Sequence, residues 1–150
     1  MKNKSPRDMV GYGKKLPKVE WPNKAKLALQ FVLNYEEGSE NSVLSGDKYS
    51  ETFLSEIIGA KPIKGRHINM ESIYEYGSKR GFWRIHELFQ EKKMPLTIFG
   101  VAMALEKNME ICQEIKKSNY EIASHGWRWI DYQNVTRATE KKHMQLAINS

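Results

Sequence analysis

The chain has 150 residues, of which 40% are hydrophobic and 28% charged, and its formal net charge is +6. That length suits one domain, and the balance is that of a globular chain rather than a disordered one. The charge does not make a nucleic-acid surface, because the lysines fall in scattered pairs (Lys92-Lys93, Lys116-Lys117, Lys141-Lys142) with no stripe of basic and aromatic residues, and the lone Cys112 excludes a disulfide framework.

Residues 1–22 are rich in Lys, Pro and Gly and end in Trp21-Pro22, which predicts an extended arm lying over a domain face. Met1 to Asp8 is basic but has no apolar stretch behind it, and no segment is long enough to span a membrane. A cytoplasmic location is expected, with neither membrane nor nucleic acid as a partner. Residues 25–36 predict a first strand whose Leu, Phe and Val suit burial on both faces. Residues 38–78 hold Gly38, Gly46, Gly59, Pro62, Gly65 and Gly77 among short apolar patches. So long a connection with little regular structure is usually functional, often a lid. Ser78 can then cap a helix over 79–92, with Phe82, Ile85 and Phe89 on its apolar side.

Met94-Pro95 ends that helix, and Leu96 to Val101 reads as a second buried strand. Asn108 to Ser118 predicts a helix with Met109, Ile111, Cys112 and Ile115 facing inward. Tyr120 to Ser124 predicts a third strand, and Thr136 to Asn149 a last helix. The order β, lid, α, β, α, β, α implies a parallel sheet with right-handed crossovers. Three strands make a small sheet, so the expectation is α/β architecture forming the first part of a larger barrel.

Two segments carry the chemistry. Leu27 to Asn34 runs through Tyr35 into Glu36-Glu37-Gly38, and Tyr120 to Ser124 runs into His125-Gly126. Carboxyl ends of parallel strands point into the ligand crevice, so two acids and an imidazole converging there suggest water-activating hydrolysis. Neighbouring strand residues face opposite ways, which leaves one of the two carboxylates facing the pocket squarely. His67, His86 and His143 sit at no credible ligand spacing.

Several strings together resemble the polysaccharide deacetylase (NodB-homology) superfamily, and within it the metal-independent allantoinases of its urate-catabolism branch. They are Pro6 to Gly13, Phe31 to Gly38, Glu40 to Leu44, Asn69 to Gly77 and Glu121 to Gly126. The resemblance implies a distorted parallel (β/α) barrel of the polysaccharide deacetylase type, about half of which is present, so that residues 1–150 are the N-terminal portion of one catalytic domain. It implies a strand ending in two acids, base first and metal ligand second, which correspond to Glu36 and Glu37. It also implies a His-Ser/Thr-x-x-His pattern, in which His125 keeps the first position and Trp129 takes the second. Indole offers no lone pair, whereas a catalytic zinc usually has three protein ligands. Neither metal nor any other cofactor is therefore expected.

The implied activity is hydrolysis of a carbon–nitrogen bond in a cyclic amide, allantoin to allantoate in purine degradation. Glu36 would act as base, and His125 would hold water or stabilise the oxyanion. Glu37, Trp129, Asn69 and Glu71 are the candidate substrate contacts, the substrate being a small cyclic ureide. Full-length relatives are expected to be homo-oligomers. The alternatives are a metal-dependent deacetylase of N-acetyl sugars and a non-catalytic fragment or binding module.

Overall fold

A computed structural model describes residues 6–150; residues 1–5 of the predicted arm (1–22) lie outside the described residues. Three parallel strands form one sheet in the order β1-β2-β3: β1 (Val32–Tyr35), β2 (Thr97–Gly100) and β3 (Glu121–Ser124). The register sets Leu33 beside Ile98 and Ile98 beside Ile122, while Tyr35, Gly100 and Ser124 share the last row. Among the described residues five α-helices accompany them: α1 (Ile68–Tyr76), α2 (Phe82–Lys92), α3 (Ala102–Glu106), α4 (Met109–Lys117) and α5 (Arg137–Asn149). This is the expected α/β partial barrel with parallel strands. Among the described residues, no helix is long and apolar enough to cross a membrane.

The core lies between the sheet and α2, α3 and α4. Ile98, Val101, Ala104, Ile111 and Ile115 are fully buried. Ile111 and Ile115 are four apart, so one turn of α4 places both against the sheet. Asn108 starts that helix by accepting the Ile111 amide at 3.2 Å. The α2 face is sealed by a polar pin: Tyr120 Oη lies 3.2 Å from His86 Nδ1 and accepts from Gln90 Nε2 at 3.0 Å. Each buried polar group there has a partner, as burial requires.

Several predicted boundaries differ from those observed. The first strand is short, and Leu27 and Leu29 are 74% and 70% exposed rather than buried. β1 is an edge strand, and of the residues leading into it Phe31 packs on Phe89 while Leu27 and Leu29 stay open to solvent. Residues 6–22 are likewise exposed rather than packed over a face. The irregular stretch ends earlier than predicted, at His67, whose ring Nδ1 accepts the Met70 amide and starts α1. Ser78 caps no helix; its hydroxyl donates to the Glu75 carbonyl. It sits in a π-helical segment, Gly77–Gly81, that joins α1 to α2 without a break. The short α3 was not predicted, and Met109 faces outward at 60% exposure. The α5 helix starts as predicted at Thr136, whose hydroxyl accepts the Thr139 amide, but none of its residues is buried.

Candidate active site

Strand alternation divides the two glutamates. Residues 34 and 36 face one side of β1, and residues 35 and 37 face the other. Tyr35 fixes which is which: it is 2% exposed and packs edge-to-face on Phe82 of α2, with ring centroids 6.0 Å apart. Tyr35 and Glu37 therefore face the helices, and Asn34 and Glu36 face the opposite side of the sheet.

On that opposite side Glu36 meets His125. Glu36 Oε1 lies 2.9 Å from His125 Nε2, across 89 residues of chain. Asn34 Nδ2 donates to the same carboxylate oxygen at 3.1 Å, and the Phe99 ring lies 6.0 Å from the imidazole. The pair is half-buried, with Glu36 at 21% and His125 at 36% side-chain exposure, so both side chains stay open to solvent. The loop after β3 is held by its backbone. His125 donates to the Gly100 carbonyl at 2.9 Å, and the Gly126 carbonyl accepts the Ala102 amide at 2.9 Å. Gly126 takes a φ of +78°, which a residue with a Cβ adopts at a cost.

Glu37 faces a different space. With Tyr35, Glu71, Glu75, Lys107 and Asn108 it lines a cavity of about 250 Å³ on the helix side. Burial pushes its carboxyl above the usual range; amide hydrogen bonds oppose this, while the charges of Glu36 and Glu40 add to it. Burial also pushes the Tyr35 phenol up to about 12. Glu71 is held below its usual value by the hydrogen bond from Arg66. Asn69 is exposed on the first turn of α1.

Trp129 packs behind the lid. Its ring lies 5.4 Å from Phe53 and 6.0 Å from Tyr74, and its amide donates to the Ser39 carbonyl at 3.2 Å. The residue beside it is one that sequence reasoning missed. Arg128 donates to both Asp47 carboxylate oxygens, at 2.9 and 2.6 Å, and to the Glu40 carbonyl at 3.0 Å. That clamp ties the loop after β1 to the loop holding His125. No local signal in the sequence announces it, since the partners are 81 residues apart.

Of the predicted site residues, the structure brings Glu36 and His125 together. It sends Glu37 and Glu71 to the helix-side cavity, Trp129 to the lid, and Asn69 to solvent. The positions the family pattern assigns to a metal, Glu37, His125 and Trp129, consequently do not share one space. Among the described residues no group of three or more His, Cys, Asp or Glu side chains is arranged to hold a metal ion. The residues present do not fit that group, and no step is routed through one.

The parallel partial barrel with an acid–imidazole pair at its strand mouths defines a class, and comparison with known proteins names it. The polysaccharide deacetylase family model matches residues 68–149, more than half of the sequence. The chain belongs to the polysaccharide deacetylase family. It is 40% identical over 148 residues to a putative polysaccharide deacetylase of Schizosaccharomyces pombe, covering 96% of this chain and 46% of that one. The crystal structure of PuuE allantoinase matches with a TM-score of 0.89 at 51% identity, covering 97% of this chain and 49% of that one. A probable polysaccharide deacetylase from Pseudomonas aeruginosa PAO1 matches with a TM-score of 0.89 at 53% identity, with the same coverage. The chain thus spans about half the length of the relatives it matches.

Proposed function

We propose that this chain carries the first half of an amidohydrolase site that opens a cyclic amide, hydrolysing allantoin to allantoate. The observation that carries the reading is the 2.9 Å contact between Glu36 and His125 at the mouths of parallel strands. The replacement of the second imidazole by Trp129 and the similarity to PuuE allantoinase support it. Glu36 takes a proton from a water molecule as the water oxygen bonds to the ring carbonyl carbon. The carbonyl oxygen becomes an oxyanion. His125 holds the Glu36 carboxylate in place through Nε2 and, when protonated, places positive charge near that oxyanion. The proton on Glu36 then passes to the departing nitrogen as the carbon–nitrogen bond breaks. In this reading Glu37, Glu71 and Asn69 take no part in the bond-breaking steps.

The test is allantoin ring opening by the protein expressed from its full reading frame, treated with chelator, beside a Glu36→Gln variant. Activity that survives chelation and disappears in the variant supports the reading. Equal activity in the variant removes Glu36 from the mechanism.

A second reading, metal-dependent deacetylation of N-acetyl sugars, is favoured by the two relatives named as polysaccharide deacetylases. Zinc titration with chito-oligosaccharides as substrate separates the two. Stoichiometric zinc binding with release of acetate would select the deacetylase.

A further inference from the structure

Glu36 lies one residue past the end of β1, beyond the reach of strand pairing. Its backbone is anchored all the same. The Glu36 carbonyl accepts both the amide and the hydroxyl of Ser39, at 3.1 and 2.6 Å, and Ser39 is fully buried. The long side chain still has its torsions to lose before one carboxylate oxygen can be aimed at a water molecule.

Two donors order it, and both go to the same oxygen. Asn34 Nδ2 reaches Oε1 at 3.1 Å from within β1, and His125 Nε2 reaches Oε1 at 2.9 Å from beyond β3. Asn34 precedes Glu36 by two residues, the strand repeat, so the two side chains stand side by side on one face. The register pairs Asn34 with Phe99, and the Phe99 ring lies 6.0 Å from the imidazole. The two donors thus approach Oε1 from neighbouring rows of the same sheet face.

An ionised carboxylate only accepts, so the Asn34 amide presents its NH2 and the imidazole its N–H. Each carboxylate oxygen has about two lone-pair sites, and Oε1 has both engaged. Among the described residues no donor bonds Oε2. Oε1 is the oxygen by which the group is held, and Oε2 is the one left to take a proton. The donors are not interchangeable. An imidazole can gain and lose charge, whereas the amide of Asn34 does not titrate and donates throughout.

We infer that Asn34 is a positioning residue, holding Oε1 of Glu36 together with His125 so that Oε2 takes the proton from the attacking water. The inference rests on the hydrolytic reading and deepens it by assigning the accepting atom.

The test uses the protein expressed from its full reading frame, with whichever of allantoin and chito-oligosaccharide the wild type hydrolyses. Asn34→Leu keeps the approximate shape and removes the N–H. Asn34 is exposed, so the melting temperature should match wild type. The kcat should fall about tenfold, the loss of one hydrogen bond to a charged group. KM should not change, because Asn34 acts on Glu36 and not on substrate. Asn34→Ala, which adds no apolar bulk to β1, should show the same split. The discriminating measurement is Asn34→Leu made in Glu36→Gln. With the base gone there is nothing left to hold, so the second substitution should add no further loss. A disturbed strand would instead lower activity equally in both backgrounds. With Glu36→Gln impaired, three results overturn this inference alone: an unchanged kcat in both Asn34 variants, a loss carried wholly by KM, or the same loss in both backgrounds. Turnover of neither substrate by wild type, or full activity in Glu36→Gln, removes the hydrolytic reading and this assignment with it.

Discussion

Replacing Asp47 with alanine breaks the bidentate ion pair that joins the loop after β1 to the loop holding His125. Arg128 has 9% of its side chain exposed and Asp47 21%, so the pair is largely withdrawn from water. Removing Asp47 leaves the guanidinium buried with only the Glu40 carbonyl as acceptor, and its Nε already lacks a partner. Breaking a buried pair from one side costs about 3–5 kcal/mol, and the partial exposure of Asp47 places this case near the lower end. About 3 kcal/mol corresponds to a fall in Tm of about 6–12 °C for a chain of this size. Thermal and urea unfolding followed by circular dichroism measures it. The acid limb gives a second check. Burial raises the Asp47 carboxyl, but Arg128 and the Ser42 amide outweigh it and hold the group below its usual value of 3.8. A depressed folded-state pKa contributes stability above the unfolded value, and that contribution is lost as pH falls through the folded one. The gap between wild type and Asp47→Ala should therefore close below pH 4. The pair Asp47→Leu with Arg128→Met should lose less than Asp47→Leu alone, because no charge is left stranded. A loss under about 1 kcal/mol, the size seen for exposed pairs, would refute the argument that this clamp is buried and structural.

Glu36→Gln in the protein expressed from its full reading frame should lower the rate of ring opening about 10²- to 10⁴-fold, the contribution of a general base. Its melting temperature should stay close to wild type, which separates chemistry from folding in a single preparation. Ile98→Ala should cost about 2–5 kcal/mol, since Ile98 is fully buried between the sheet and its helices; denaturant midpoints check it. Gly100→Ala would set a Cβ 2.5 Å from Leu105 Cδ1, and the repacking should cost about 1–3 kcal/mol. Burial raises the Glu37 carboxyl, so the folded chain keeps a proton that the unfolded chain releases. Its contribution to stability therefore falls as pH rises from 4.5 through the folded-state pKa, and Glu37→Gln should remove that slope from the pH profile.

The parallel sheet, the order of its strands with the helices α2, α4 and α5, and the placing of Glu36 and His125 at strand mouths were legible in the residues. They follow from local signals: apolar runs of strand length, helical spacing of Ile111 and Ile115, and polar residues with glycine after each strand. Alternation along β1 even foretold that Glu36 and Glu37 would part company. It could not say which faced the helices; Tyr35 packing on Phe82 decided that. The α1 helix was hidden because its hydrophobic pattern is weak, and because it runs into α2 through a π-helical segment containing two glycines that read as breaks. The exposure of Leu27 and Leu29 was equally hidden, since burial depends on what lies against a strand and not on its own residues. Chain-distant pairing decided everything else about the sites. The Arg128–Asp47 clamp and the cavity between Tyr35, Glu37 and Gly77 arise from residues that only folding brings within bonding distance, and no periodicity along the chain encodes such contacts.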